Sequence, residues 1–191
     1  MPRTFKVLAL ACCATAAVAV GTRTLIDIPP ATSMKHDALK GKPLEMFSPY
    51  IGNWEINDRW STGETLWARN EYRVLMNGAF VEATTWAKDG DRPPYARYRT
   101  IFAWDPEAKS LVSHGFTMDG TAETHRMEML DADGSTAISA EWPMSDAENA
   151  PSIRQHVHMP KDGSYRWQVW MVPAGGGDPA VMIDGEWIRV P

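Results

Sequence analysis

The chain has 191 residues, 23 % charged and 44 % hydrophobic, which suits one domain with a sizeable core and is too apolar for a disordered chain. Its formal charge of −5, with no basic run, argues against a nucleic-acid partner, because such binding rests on Lys and Arg neutralising phosphates. No apolar stretch reaches the roughly 20 residues of a membrane-spanning helix, and nine tryptophans point to large rings on sheet faces or around a pocket.

Residues 1–19 read as a secretory signal peptide. Arg3 and Lys6 give a positive start, Val7 to Val20 form an uncharged apolar run, and Ala17-Val18-Ala19 supplies small residues for cleavage. Ala9-Leu10-Ala11-Cys12 is a poor version of a lipoprotein motif, sitting early in that run, and leaves lipoprotein anchoring as the lesser alternative to soluble export. The expected location is periplasmic or secreted, and loss of Arg3 and Lys6 moves the formal charge from −5 to −7. Cys12 and Cys13 leave with the leader, so a mature chain without disulfide, thiolate nucleophile or cysteine ligand is expected. Residues 20–42, with Pro29-Pro30 and His36, read as a flexible linker or arm, and 43–191 as the folded domain.

Pro43 to Tyr50 suits one or two helical turns, with Leu44 and Phe47 on one face and Pro49 ending it. Beyond it the period becomes two. Strands are expected at Ile51 to Trp60 and Leu66 to Met76, with a third following Asn77-Gly78, the strongest short hairpin signal. A two-residue turn there sets Val74 opposite Val81, Tyr72 opposite Ala83 and Arg73 opposite Glu82, which sorts apolar and charged faces cleanly. Further strands are expected at Tyr95 to Trp104, Leu111 to Met118, Thr121 to Leu130 and Thr136 to Trp142. Ile153 to Met159, Tyr165 to Val172 and Val181 to Val190 complete the set. Ten short strands, closed by turns such as Asp105-Pro106, Asp119-Gly120, Ala132-Asp133-Gly134 and Lys161-Asp162-Gly163, predict an all-β, antiparallel up-and-down barrel, which leaves no exposed edge.

The Asp119-Gly120 hairpin carries the sharpest chemical signal. A two-residue turn pairs Met118 with Thr121, Phe116 with Glu123, His114 with His125 and Val112 with Met127, and so gathers apolar residues on one face. His114 and His125 then stand opposite each other on the inner wall, with Glu123 diagonal to His114. Such a trio can act as general acid and base, ligate a divalent metal, hydrogen-bond a ligand, or form a buried polar patch. The patch is the plainest of these, and no metal site is expected. A three-residue loop at Lys161-Asp162-Gly163 sets Val157 opposite Trp167 and Ile153 opposite Met171, leaving His156 and His158 solvated on the outer face. Arg97 and Arg99 alternate with Tyr98, Thr100, Phe102 and Trp104 and read as outward. Met76, Met118, Met127, Met129, Met159 and Met171 fall on faces expected to point inward, where methionine fills irregular space. No phosphate-binding loop and no Gly-x-Ser-x-Gly elbow is present.

Gly52-Asn53-Trp54 at the first strand resembles the Gly-x-Trp opening of lipocalin-like barrels. Asn77-Gly78-Ala79-Phe80-Val81-Glu82, Phe102-Ala103-Trp104-Asp105-Pro106 and Asp184-Gly185-Glu186-Trp187 resemble one branch of that group more closely. That branch comprises bacterial lipocalin-like domains of unassigned function, similar to nitrobindin and the fatty-acid-binding proteins. Over Met46 to Pro191 the resemblance implies a ten-stranded barrel with a lumen for a hydrophobic molecule, and no catalytic residues. Nitrobindin-like proteins hold haem through a histidine near the chain end. The last two strands here contain none, so no haem or other cofactor is expected.

Three functions fit. One is an exported protein that binds a small hydrophobic or amphipathic molecule through Tyr72, Phe102, His114, Phe116, His125, Met127 and Trp167. The second is an isomerase, lyase or hydrolase using His114, His125 and Glu123 on a hydrophobic substrate. The third is an envelope structural or assembly protein whose barrel is filled by its own side chains.

Overall fold

The computed structural model describes residues 36–132, 135–145 and 147–191; the expected signal peptide, most of the arm and the Asp133-Gly134 turn lie outside the described residues. Ten strands follow in chain order: β1 (Gly52–Arg59), β2 (Thr65–Leu75), β3 (Phe80–Ala87), β4 (Tyr95–Asp105) and β5 (Ser110–Thr117), then β6 (Ala122–Ala132), β7 (Ser135–Pro143), β8 (Ser152–His158), β9 (Ser164–Val172) and β10 (Ala180–Val190). Each pairs antiparallel with the next, and β10 returns to β1 through Asn53↔Val190, Trp54↔Arg189 and Glu55↔Ile188. The result is the closed up-and-down barrel expected from the alternating pattern. Among the described residues no helix is long and apolar enough to cross a membrane.

One end of the barrel is plugged. Two 3-10 turns, His36–Leu39 and Glu45–Tyr50, carry Leu39, Phe47 and Tyr50, and Leu44 caps the second; each of the four is at most 1 % exposed. The arm expected to run free to residue 42 is therefore part of the core from Leu39 onward. A lone leucine in a polar stretch gives no periodicity, so this contact left no sequence signal. Pro49 lies inside the second turn instead of ending it, because the fixed proline φ fits a 3-10 helix.

The plug is fastened at the point of closure. Trp54 Nε1 donates to the Tyr50 carbonyl at 2.6 Å. The Arg189 guanidinium lies 4.2 Å from the Trp54 ring centre and donates to the carbonyls of Ile51 at 2.9 Å and Pro49 at 2.6 Å. Gly52, at φ +123°, sits where a Cβ would come within 2.9 Å of Arg189 Nη1. Tyr50 crosses the interior, and its hydroxyl donates to the His158 carbonyl of β8 at 2.8 Å.

The β2–β3 register is the expected one, with Tyr72↔Ala83, Arg73↔Glu82 and Val74↔Val81. Asn77 (φ 53°) and Gly78 (φ 86°) supply the positive dihedrals of a type I′ turn. The charges choose other partners, however: Glu82 pairs with Arg99 across β3–β4, and Arg73 with Glu71 at 2.5 Å. The β8–β9 register also agrees, with Ile153↔Met171 and Val157↔Trp167. His156 and His158 do face outward, but His158 is not solvated. It is 4 % exposed, with Nδ1 2.6 Å from Ser135 Oγ and Nε2 2.8 Å from Gln168 Oε1. The Gln168 amide donates on to Asp184 at 3.2 Å, and Arg166 clamps that carboxylate with two bonds. His156 packs its ring 4.6 Å from that of Trp170.

The β5–β6 register differs by one residue from expectation. Ser113 faces His125, His114 faces Thr124, Val112 faces Arg126 and Gly115 faces Glu123. Only Gly120 in this turn takes a positive φ, so the loop has three residues, Met118 to Gly120. Thr121 N donates to Asp119 Oδ1 at 3.0 Å and to Thr117 Oγ1 at 3.1 Å, and the Thr117 hydroxyl also bonds Asp119. Those bonds, the Thr117 contact foremost, hold the Asp119 carboxyl down at about 2. Val112, His114, Phe116 and Met118 consequently line the outside. Met118 is 70 % exposed, and Met76, also expected inside, is 76 % exposed in its turn. Met129 and Met171 are exposed as well, whereas Met127 is buried.

Two irregularities interrupt the strand pairing. The β3–β4 pairing steps from Thr85↔Tyr98 to Trp86↔Ala96, leaving Arg97 as the extra residue, and the β9–β10 pairing skips Met182.

Gly78 and Gly63 test the plug contact. Both have positive φ, but a Cβ on Gly78 would collide with the Ala38 carbonyl, whereas nothing lies within 4 Å at Gly63. Gly63→Ala is expected to cost about 1–2 kcal/mol for the left-handed backbone alone. Gly78→Ala should cost about 2–4 kcal/mol, because overpacking adds to it. Urea unfolding of the two variants measures the difference, and equal losses would show that the plug does not press on this turn.

Candidate functional site

Alternate residues of all ten strands point into the lumen, and two lobes that share part of their lining remain open there. The first, a cavity of about 630 Å³, opens beside the β1–β2 loop. Trp60, Trp167, Trp187, Leu66, Ile153 and Met182 give it an aromatic and aliphatic wall. The second, about 450 Å³, reaches down to the plug, where Phe47 and Tyr50 form part of its lining. Asn70, Tyr72, Thr85, Tyr98, Trp142 and Val157 border both lobes and form the waist between them.

The waist contains a hydrogen-bonded polar cluster. Thr85 Oγ1 donates to Asn70 Oδ1 at 2.7 Å, and Asn70 Nδ2 donates to the Tyr165 hydroxyl at 3.2 Å. Tyr165 meets Trp54 edge to face at 4.9 Å and Tyr50 at 5.4 Å. Burial of these phenols opposes ionisation: Tyr72 is pushed up to about 12, and Tyr50 and Tyr165 are raised well above the usual tyrosine range. They act at neutral pH as uncharged donors and acceptors.

The second lobe is polar on one wall. Glu123 and His125 project from β6 with Oε2 and Nε2 3.1 Å apart, and the His125 ring lies 4.8 Å from the Trp142 ring. His125 is 20 % and Glu123 50 % exposed, which places the pair at the upper part of the lumen. Thr100, Ser113, Thr117 and Gln155 add hydroxyl and amide groups. Gln155 Oε1 accepts from Trp167 Nε1 at 3.4 Å, a link between the two lobes.

The expected Glu/His/His trio is not assembled. The one-residue slip puts His114 on the outer face, where Nδ1 lies 3.0 Å from Thr124 Oγ1, and leaves a Glu123–His125 pair inside. Tyr72, Phe102, His125 and Met127 border the second lobe, and Tyr72 and Trp167 the first. Phe116 belongs to the outward row, is 47 % exposed and only borders the second lobe near its rim. Arg99 is outward with Glu82, but Arg97 borders the first lobe because the bulge turns it there; its Nε donates to the Tyr98 hydroxyl at 3.0 Å. Among the described residues no three His, Cys, Asp or Glu side chains come together to hold a metal ion.

Residues overlooked in the sequence include Trp60, Trp142, Trp187, Asn70 and Gln155. Asn70 was visible as a polar residue within the inward row of β2, and Gln155 follows from the β8–β9 register. Trp60 follows the end of β1 and carries no period.

The buried phenols make stability depend on alkaline pH. Below about pH 10 these tyrosines are protonated in both folded and unfolded chains and contribute no slope. As pH rises toward 12 the unfolded chain releases protons that the folded one retains, so stability should fall. Of the five tyrosines, Tyr50, Tyr72 and Tyr165 should ionise only with unfolding in a spectrophotometric titration. Free titration of all five near pH 10 in folded protein would contradict the buried cluster.

No protein-family model matches the chain, and no curated protein is significantly similar to it. Its likeness to calycin and lipocalin-like barrels rests on the closed ten-stranded antiparallel architecture.

Proposed function

We propose that this is an exported carrier or sensor that holds a small apolar or amphipathic molecule inside the barrel, in the manner of nitrobindin-like and fatty-acid-binding barrels. The observation that carries the reading is the unfilled lumen. A barrel filled for purely structural ends would close on its own side chains, whereas here cavities of about 630 and 450 Å³ adjoin beneath an open mouth. Their walls are mostly aromatic and aliphatic, with polar groups at the waist, on β4 to β6 and β8 around the second lobe, and at the mouth of the first. That distribution favours a guest that is largely apolar with one polar feature. Export is supported by the charge and apolar pattern of residues 1–19.

The tryptophans report on occupancy. Trp60, Trp142, Trp167 and Trp187 border the first lobe, so an apolar dye entering it should quench or shift intrinsic fluorescence with saturable stoichiometry. Ala68→Phe adds a ring to the same lobe at an overpacking cost of about 1–3 kcal/mol. It is expected to weaken dye binding about tenfold or more while cooperative unfolding persists. Met76→Ser, on the exposed turn, should leave binding unchanged. Equal affinity of Ala68→Phe and wild type would rule out the lumen as the binding place.

A further inference from the structure

We infer that the guest's polar end is a hydrogen-bond donor, an alcohol or a primary ammonium, held in the second lobe against Glu123, and that carboxylates are disfavoured there. The inference rests on the lumen-binding reading above and adds the chemical class of the guest. Among the described residues the formally charged side chain bordering the second lobe is the Glu123 carboxylate, and no Lys or Arg borders it. One Glu123 oxygen is engaged by His125 Nε2 at 3.1 Å, and the other takes no protein donor among the described residues. A donor head group can fill that acceptor. An anionic head would meet a like charge in a partly enclosed space, with no Lys or Arg among the described lining residues to offset its lost hydration.

The surrounding rings point the same way. Trp142 borders the lobe, and such a ring attracts cations; the Tyr98 ring already has the Arg97 guanidinium 5.4 Å from its centre. The hydroxyls of Thr100, Ser113 and Thr117 accept as readily as they donate and so do not restore a preference for an anion. Among the described residues Arg97 is the Lys or Arg that borders the lumen; it lines the first lobe, donates its Nε to the Tyr98 hydroxyl and lies 5.4 Å from the centre of that ring. Tail and head are thus assigned to different lobes: the chain lies among the tryptophans of the first, and the head passes the waist to β6.

Displacement of an apolar dye by decylammonium, decanol and decanoate tests this, because the three share a chain and differ in the head. Wild type should prefer decylammonium over decanoate by about tenfold or more, with decanol between them. Glu123→Gln keeps the shape but removes the charge and should shrink that ratio to within about threefold, while Glu123→Asp keeps the order. Decanoate binding tightest, equal binding of all three, or an unchanged ratio in Glu123→Gln would overturn the assignment. So would loss of decanoate binding in Arg97→Gln, which would put the head in the first lobe. If the dye itself fails to bind wild type, the lumen reading falls first and this one with it; dye binding without head-group discrimination removes only the present inference.

Discussion

Arg189 ties the last strand to the plug segment and first strand at the place where the barrel must close. A closed sheet has no free edge, so its existence depends on the last strand finding the first. The β1–β10 seam pairs only around Asn53 to Glu55, and the guanidinium reinforces it by covering the Trp54 ring and bonding two carbonyls of the plug segment. Trp54 in turn donates to Tyr50, and Tyr50 reaches across to β8. Seam, plug and far wall are one connected set. Gly52 belongs to it too, since a side chain there would push against the arginine.

Much of this was legible in the amino-acid pattern because a period of two reports directly on which side a residue takes. Strand ends fall within a residue or two of expectation, and the β2–β3 and β8–β9 registers follow from turn chemistry combined with face sorting. The failure at β5–β6 has a definite cause. Face sorting there favoured Val112, Phe116 and Met118 inward, but the turn is held by Asp119 and Thr117 side chains bonding the Thr121 amide, which demands three loop residues. Local polar geometry outweighed hydrophobic pattern. The apolar residues are left on the outer surface. The buried state of His158 was equally hidden, since it depends on Ser135, Gln168 and Asp184 from three other strands.

That same slip helps to make the lumen. With the expected register, Val112, His114 and Phe116 would have projected inward from β5. Instead Leu111, Ser113, Gly115 and Thr117 take that row, and from Ser113 onward they are small. Space in the second lobe therefore comes from three small side chains on one strand, opposite the longer Glu123 and His125. The bulges at Arg97 and Met182 lie where those two side chains form part of the wall of the first lobe.

The plug has a consequence for how such a barrel can change over evolutionary time. Phe47 and Tyr50 are among the most deeply buried side chains and are also walls of the second lobe. Trimming either to enlarge the chamber would remove part of the hydrophobic core and, for Tyr50, the strut to β8. Capacity at the closed end is thus coupled to fold stability, whereas Trp60, Leu66 and Met182 at the mouth can vary without loosening the seam. Diversification toward new guests is cheapest from the rim downward.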